Sequence, residues 1–567
     1  MVARMRQSLD RRDVFALVVL GLIGVGIPLG LSAAAGAVGL PTIDDWVYIR
    51  GADSLFRTGT IDMPGHTAAA VGQLLMVQPL LWLSGGEPWA FTAFGLIMAS
   101  IGIVATYALA RRFVGTGAAL MAVVLVEVFP GFARETASFM TDVPAYALTV
   151  LCLLLGTRWL EDGRRRWLAA SLIVGLLAVS VREFAIAAPA AILVVSWARR
   201  PADRIWLAGA SGILAAVVAS VLIVAASIPG RSEPTAPEIG KLFRLGPVFA
   251  TFAAVLLPAL VLGIPRRMAT FSPEQVFLGA GLACLAAAVP WGVANGMLWM
   301  DHGLAGDLLL SGTRNEVIGA GAWALSRQVA SFAAVLLAAL AFKWAQHNLS
   351  RVGSLSGAKA AAVQIAKRRD GLLVVFLLGY GSELVAFAPI WVYDRYLYPL
   401  VPFAAILLLR GPDQIFRFSR SRAFADGAYA WLAISAFIIA ANSFAYDAAR
   451  WREGEAAVAI GYDATTVDAG YEWVGYHAST VGSLSAPATN MAWSGDRWAL
   501  VQPCAVLSNS PLDDPAMRLI RVDRAAYLRY LLFGPAEPLY LYGASRDGCP
   551  PLPAAFATSG NGPWRSP

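Results

Sequence analysis

Charged side chains are scarce in this chain of 567 residues. They make up 14% of the sequence, against about 25% in ordinary soluble proteins. Hydrophobic residues make up 58%, which is more than a soluble globule needs and far more than a disordered chain contains. The composition therefore excludes an ordinary cytosolic, fibrous or disordered protein and indicates a membrane protein with many spanning segments.

Cysteine and histidine are also rare, with four of each. Four cysteines are too few for a disulfide scaffold or a multi-cysteine metal site. The histidines lack metal-ligand spacing; they are His66, His302, His347 and His477. We therefore expect no metal and no other cofactor. Cys504 and Cys549 lie in the polar C-terminal part and are a candidate disulfide if that part is outside the cytoplasm. The alternative is two separate buried thiols.

The chain is basic, with 44 Lys and Arg against 37 Asp and Glu. Most of the basic residues lie in short loops between apolar segments, which is the pattern of cytoplasmic loops in membrane proteins. This distribution argues against nucleic acid as a partner and favours the lipid bilayer. It predicts a cytoplasmic N-terminus and an exoplasmic C-terminus.

Apolar runs able to cross a bilayer need about 17–25 residues. The sequence predicts an all-α polytopic protein with about 13 such helices and no internal repeat. Their predicted beginnings are near Val14, Pro88, Val114, Val143, Trp167, Phe184, Trp206, Pro247, Val276, Gln328, Leu372, Leu397 and Ala428.

Two regions follow from this pattern. Residues 1–444 form the predicted transmembrane domain, with a first outer loop at 41–87 whose amphipathic stretches predict helices on the membrane surface. Residues 445–567 are rich in Trp, Tyr, Pro and Gly and form a predicted small α/β domain on the exoplasmic side.

The first outer loop contains two adjacent carboxylates, Asp44 and Asp45, directly after a predicted spanning helix. Like charges side by side raise the pKa of one partner, which makes a carboxylate a usable proton acceptor near neutral pH. Trp46 and Tyr48 follow and are candidates to line the site or contact an acceptor. The alternative is a helix N-cap.

The second outer loop contains Glu135, a candidate site-lining residue, and Asp142, which precedes an apolar run with Pro144. N-capping is again the alternative for Asp142. Glu127 lies near the outer end of an apolar segment, where an ionisable residue is a functional candidate, and is a further candidate to line the site.

Two more segments of the same predicted face carry arginine. Arg182 and Glu183 lie between two helices, either as a neutralising ion pair or with Arg182 directed at a phosphate, which suits the bidentate guanidinium group. Glu183 is a further candidate to line the site or contact an acceptor. Arg395 and Tyr396 are further candidates to bind the donor phosphate. They lie in a charged aromatic turn that, taken alone, is also typical of an interfacial aromatic belt.

Glu472 and Trp473 lie in an aromatic and acidic stretch of the C-terminal region. Such a stretch suits stacking on a sugar, so both are candidates for acceptor contact. The alternative is the core of a small domain.

Four stretches together resemble bacterial GT-C membrane glycosyltransferases. They are the Asp44-Asp45 loop, residues 139–144, residues 181–183 and residues 394–400. The resemblance is closer to glycosyltransferase family 39, the protein O-mannosyltransferase and aminoarabinose-transferase superfamily, and covers roughly residues 40–410.

This resemblance implies a polyprenyl-monophosphate sugar as donor and a glycan, lipid or protein as acceptor at the outer face of the bacterial cytoplasmic membrane. It implies that Asp44 is the general base, that Asp45 orients it, and that Asp142 is the acidic residue of the second outer loop. Arg182 and Arg395 fall where basic residues face the donor phosphate. Glu183 departs from the Gln or Lys-Gly that related sequences often have after the fifth helix.

A lipid-linked sugar flippase or transporter is the main alternative. Transporters carry polar residues near the bilayer midplane and often have repeated halves. A membrane scaffold for envelope assembly is a further alternative, but it does not need Asp44, Asp45 and Asp142 on one face. The common face of the polar residues favours the transferase.

Overall fold

The structure is a computed structural model. It describes residues 11–42, 44–63, 68–228, 245–263, 320–349, 355–387, 392–410, 420–477, 503–512, 514–530, 534–545 and 547–551.

Helices dominate the described chain. In the N-terminal half they are α1 (Arg11–Gly21), α2 (Ile27–Ala35), α3 (Asp45–Thr58), α4 (Val71–Ser84), α5 (Trp89–Ala110), α6 (Thr116–Glu127), α7 (Phe132–Thr136), α8 (Asp142–Asp162), α9 (Arg165–Val181), α10 (Ala187–Arg199), α11 (Arg204–Ser227) and α12 (Leu245–Gly263). They continue with α13 (Ala320–Leu349), α14 (Leu355–Lys367), α15 (Gly371–Phe387), α16 (Val401–Leu409), α17 (Arg420–Ala459) and α18 (Tyr471–His477).

Six helical stretches of the described residues are long and apolar enough to cross a membrane. They are Arg11–Ala35, Trp89–Ala110, Asp142–Asp162, Pro201–Ser227, Gln328–Gln346 and Arg422–Ala459. The chain is a mostly helical, multi-pass membrane protein. The count of thirteen stays a prediction: the segment predicted near Val276 lies outside the described residues, and α16, near the predicted Leu397 segment, has nine residues.

The helix bundle has two chemically different ends. Helix α8 runs from Asp142 to Asp162, about 30 Å at 1.5 Å per residue. Near its far end Glu161 pairs with Arg112, and Arg111 Nε lies 2.9 Å from Asp13 Oδ1. Basic loops therefore gather at the end opposite Asp142. Which end faces the cytoplasm remains a prediction.

A four-stranded sheet follows the bundle. Its strands are β1 (Val467–Asp468), β2 (Ala505–Ser508), β3 (Met517–Leu528) and β4 (Ala536–Ala544). The strand order is β1-β2-β4-β3, with β1 parallel to β2 and the other pairs antiparallel. Cys504, next to β2, is joined to Cys549 by a disulfide.

Helix α17 links the bundle to the sheet. Its 40 residues extend about 60 Å, twice the roughly 30 Å of bilayer hydrocarbon. Tyr446 and Trp451 on its second half pack with Leu539 and Leu541 of β4 in one hydrophobic cluster. The predicted boundary at residue 444 thus lies inside a continuous helix, and the division into two domains remains a prediction.

Candidate functional site

Five charged residues from distant segments meet beside the ends of apolar helices. Asp44 precedes α3, Asp142 begins α8, and Arg182 follows α9. The other two come from α7 and from the 3-10 turn Asp394–Leu397. We call this group the Arg395 cluster; its members are Asp44, Glu135, Asp142, Arg182 and Arg395.

Arg395 is the centre of the cluster. Its Nη2 lies 3.4 Å from Asp44 Oδ2, its Nε lies 3.4 Å from Asp142 Oδ2, and its Nη1 lies 4.0 Å from Glu135 Oε1. The Arg395 side chain is 3% exposed. One buried guanidinium group therefore holds together three carboxylates that belong to three separate segments.

Arg182 extends the cluster on the other side of Asp142. Its Nη1 lies 3.3 Å from Asp142 Oδ2 and also donates to Thr141 Oγ1. Arg182 thus makes its ion pair with Asp142, forty residues away, instead of the adjacent Glu183. Glu183 begins the half-buried 3-10 turn Glu183–Ile186.

Tyrosine rings support both guanidinium groups. The Cζ of Arg182 lies 4.4 Å from the ring centroid of Tyr396, and the Cζ of Arg395 lies 4.5 Å from that of Tyr393. Stacking on an aromatic face orients a guanidinium plane without using its hydrogen-bond donors. The predicted Tyr396 thus contacts the site through Arg182.

Asp44 is the most accessible of the carboxylates in the Arg395 cluster. Its side chain is 38% exposed, whereas those of Glu135 and Asp142 are 1% and 3% exposed. Its Oδ1 accepts a hydrogen bond of 3.1 Å from the hydroxyl of Tyr471. Asp44 occupies the N-cap position of α3 but makes no side-chain capping bond. Capping therefore does not account for it, and an incoming group can reach its carboxylate.

Asp45 points the other way, into the protein. It is fully buried, and its carboxylate accepts hydrogen bonds from the backbone N–H of Thr42 and, at 3.1 Å, from that of Phe139. Burial raises the pKa of Asp45 well above its usual value, and these two backbone donors oppose the shift. The principal cause is therefore burial, not the adjacent carboxylate that the sequence suggested. Asp45 joins the loop before α3 to the loop before α8.

The loop before Asp142 is held by its own packing. The ring of Phe139 lies 4.9 Å from that of Phe91 and 5.4 Å from that of Phe94, both on α5. Gln73 Nε2 donates to the Phe139 carbonyl at 2.7 Å, and Thr92 Oγ1 donates to the Ala137 carbonyl at 3.1 Å. These contacts fix the start of α8, and with it the Asp142 carboxylate, relative to α4 and α5.

Two predicted site residues lie on α3 beside Asp44. Tyr48 is buried and lies within electrostatic range of Arg182, Asp142 and Arg395; burial raises its pKa. Trp46 is also buried, and its ring meets that of Tyr471 at a centroid distance of 5.9 Å. Tyr48 therefore lines the cluster, whereas Trp46 packs against the C-terminal part of the chain.

Three predictions of contact with the site need correction. Glu127 is buried in the bundle, where a Cβ at Gly24 would lie 2.9 Å from its Oε1, and no described contact joins it to the Arg395 cluster. Glu472 and Trp473 are 0% and 2% exposed. Glu472 forms an ion pair with Arg450. These side chains belong to interior packing and are not on a surface that an acceptor sugar could reach.

A second buried group of charges lies beside the first. We call it the Arg450 network: Arg134 Nη2 is 2.8 Å from Asp447 Oδ2, Arg450 Nη2 is 3.1 Å from Asp447 Oδ1, and Arg450 Nη1 is 2.6 Å from Glu472 Oε2. All four side chains are at most 1% exposed. Sequence reasoning missed Asp447 and Arg450, although charged residues in a long apolar helix indicate candidate functional positions.

No group of three or more His, Cys, Asp or Glu side chains arranged to hold a metal ion occurs in the part of the chain that the structure describes. Independence from metal remains a prediction.

Residues 73–227 match the family model described as dolichyl-phosphate-mannose-protein mannosyltransferase. This match supports the resemblance to GT-C membrane glycosyltransferases that the four sequence stretches indicated. The chain is similar to GT-C membrane glycosyltransferases. Asp142 and Arg182 lie inside the matched segment, whereas Asp44 and Arg395 lie outside it.

A search of solved structures finds, among others, two membrane transferases. The oligosaccharyltransferase of Archaeoglobus fulgidus, in complex with Zn and sulfate, is 17% identical, with 87% of this chain and 68% of that one covered at a TM-score of 0.43. ArnT from Cupriavidus metallidurans bound to undecaprenyl phosphate is 11% identical, with 93% and 97% covered at a TM-score of 0.39. No curated protein matches the chain.

Proposed function

We propose that this GT-C-type glycosyltransferase moves a sugar from a polyprenyl-monophosphate donor to a hydroxyl or amine of a glycan, lipid or protein acceptor. The reaction takes place at the outer face of the bacterial cytoplasmic membrane. One observation carries the proposal: two carboxylates and two arginines, far apart in sequence, converge in the Arg395 cluster at the end of an apolar bundle. The description of the matched family, which names a lipid phosphate and sugar transfer, supports the reaction class.

Asp44 is the proposed general base. A base must be reachable by the proton that it takes, and Asp44 is the carboxylate of the Arg395 cluster with substantial exposure. Arg395 beside it provides a counter-ion for the charged form. Asp45 acts through the loop that it holds and is therefore a proposed positioning residue.

Arg182 and Arg395 are the proposed ligands of the donor phosphate. The Nη1 of Arg182 lies 3.3 Å from Asp142 Oδ2, which exceeds the roughly 2.8 Å of strong charge-assisted hydrogen bonds. The Nε of Arg182 is buried without a hydrogen bond to any described residue. A bound phosphate would satisfy this donor.

The proposed reaction is a displacement at the anomeric carbon. The acceptor oxygen or nitrogen forms a bond to that carbon from the face opposite the phosphate, while the bond from carbon to phosphate oxygen breaks and leaves its electron pair on the polyprenyl phosphate. Asp44 takes the acceptor proton, and the arginines stabilise the departing phosphate. This geometry inverts the anomeric configuration, and Asp142 and Glu135 keep the arginines in place. Because the leaving group is a monophosphate, two arginines suffice and no metal is needed.

The test compares wild type with Asp44→Asn in lipid, using a panel of radiolabelled polyprenyl-phosphate sugars and crude envelope as acceptor. We expect Asp44→Asn to lower the transfer rate by about 10²–10⁴-fold, the contribution of general base catalysis, with donor binding nearly unchanged. Asp53→Asn is the matched control, because Asp53 lies on the same helix in a partly exposed pair with Arg57. Full activity in Asp44→Asn would refute the assignment of the base. No donor consumption by wild type would favour the flippase.

A further inference from the structure

Tyr471 reaches the proposed base from a part of the chain 427 residues away. Its hydroxyl donates to Asp44 Oδ1 at 3.1 Å, while Arg395 Nη2 lies 3.4 Å from Oδ2 of the same carboxylate. Each oxygen of Asp44 thus has its own donor, and the two donors come from different regions. Two fixed donors determine the plane of a carboxylate, which one donor cannot do.

The helix that carries Tyr471 is closely fitted to the helix that follows Asp44. At Gly475 on α18, a Cβ would lie 2.4 Å from Cε2 of Trp46, so only glycine allows this approach. Arg50 Nη1 donates to the Gly475 carbonyl at 3.1 Å, and the ring of Trp46 meets that of Tyr471 edge-on. The position of Tyr471 is therefore defined by contacts with α3 itself.

The same helix is fixed on its other side by the Arg450 network. Glu472, next to Tyr471, pairs with Arg450 at 2.6 Å, and Arg450 Nη1 donates to the Ala469 carbonyl at 3.0 Å. Gly470, which lies between Ala469 and Tyr471, has a φ of +104°, and a Cβ there would lie 1.7 Å from Arg450 Nη1. The network ends on Arg134, which precedes Glu135 of the Arg395 cluster in sequence.

We propose that Tyr471 is a positioning residue for Asp44, so that the C-terminal part of the chain completes the active site. This inference rests on the proposed function. Tyr471 Oη fixes the orientation of the Asp44 carboxylate, and the lone pairs that remain on its oxygens receive the proton of the acceptor. Its effect falls on the chemical step, because its hydroxyl acts on the carboxylate of Asp44, the proposed base.

The main test is Tyr471→Phe, which removes one hydroxyl and keeps the ring against Trp46. We expect kcat to fall by about tenfold to a hundredfold, in the range that misplacement of a catalytic group causes, with the donor KM changed less than twofold. Tyr476→Phe is the matched control on the same helix, since Tyr476 is half-buried and makes no contact with Asp44 in the described structure. We expect it to keep wild-type kcat.

A double-mutant cycle separates positioning from a purely structural role. If Tyr471 acts through Asp44, Tyr471→Phe in an Asp44→Asn background should have no further effect on the residual transfer rate. The same four proteins give an activity-independent cycle in thermal unfolding, where the Tm loss of the double variant should be smaller than the sum of the single losses.

The outcomes separate the two proposals. Additive rate effects, or wild-type kcat in Tyr471→Phe, overturn the positioning role. Additive Tm effects in an active enzyme overturn the contact on which it rests. Absence of transfer by wild type refutes the proposed function and the role of Tyr471 with it, while the Tm cycle then reports on the contact alone.

Discussion

Charge balance in the Arg450 network leads to a stability prediction that does not depend on the reaction. The network contains two arginines and two carboxylates, each at most 1% exposed. Asp447→Leu removes the ion-pair partner of Arg134 and one of the two ion-pair partners of Arg450. Removing one partner from a buried ion pair costs about 3–5 kcal/mol, because the remaining charge is buried without compensation.

A second substitution should reverse most of this loss. In Arg134→Met/Asp447→Leu the buried pair of Arg450 and Glu472 at 2.6 Å remains neutral by itself. Replacing a buried ion pair by apolar side chains of similar volume is often neutral or stabilising. We therefore expect the double variant to exceed Asp447→Leu by about 3 kcal/mol or more in free energy of unfolding.

The assay is denaturant or thermal unfolding in one fixed detergent, followed by tryptophan fluorescence. Trp451 and Trp473 report on this region because they lie near the network, with ring centroids 5.0 Å apart. Arg57→Met is the control for an exposed pair, at 60% and 32% exposure, and should cost less than about 1 kcal/mol. A double variant no more stable than Asp447→Leu would refute the charge-balance reasoning.

Three further predictions concern donor binding, pH and metal. Arg395→Ala should weaken donor binding by about 10–100-fold, the value of a hydrogen bond to a charged group, and should weaken acceptor binding less. The control is Arg165→Ala, which should leave both affinities unchanged because Arg165 is 59% exposed at the other end of the bundle. An unchanged donor Kd in Arg395→Ala would argue against a phosphate role. Burial raises the pKa of Asp468 to about 7, so the native state keeps a proton that the unfolded chain releases above about pH 4. The free energy of unfolding should therefore fall between about pH 4 and pH 7 because of this group, and Asp468→Asn should remove that part of the slope; an unchanged slope would contradict the assignment. EDTA should leave the transfer rate unaltered, and a loss that Mg²⁺ restores would contradict metal independence.

The convergence of the Arg395 cluster could be anticipated from the sequence, whereas its internal geometry could not. Successive spanning helices alternate in direction, so the ends that carry Asp44, Asp142, Arg182 and Arg395 fall on one side once the topology is known. Which arginine lies at the centre depends on side-chain directions at four helix ends, and these follow from tertiary packing.

The difference between Asp44 and Asp45 shows the same limit at two adjacent positions. Successive residues at a helix start point about 100° apart, so one can face the site while the next is buried. The rotation of α3 about its own axis cannot be derived from the sequence alone. That rotation is determined by Trp46 against Gly475, a contact between residues more than 400 positions apart. For the same reason Tyr471, although part of a noticed aromatic stretch, could not be assigned to Asp44.

The continuity of α17 has a consequence for how this protein can vary and be engineered. A helix that crosses the apolar bundle, supplies Asp447 and Arg450, and then packs on the sheet makes its two parts inseparable. Shortening the chain after residue 444, or exchanging the C-terminal part for that of another transferase, would remove the counter-ion of Arg134 and the hydroxyl on Asp44 together. The bundle therefore depends on residues of the C-terminal region, and a viable chimera would have to exchange the loops before α3 and α8 along with that region.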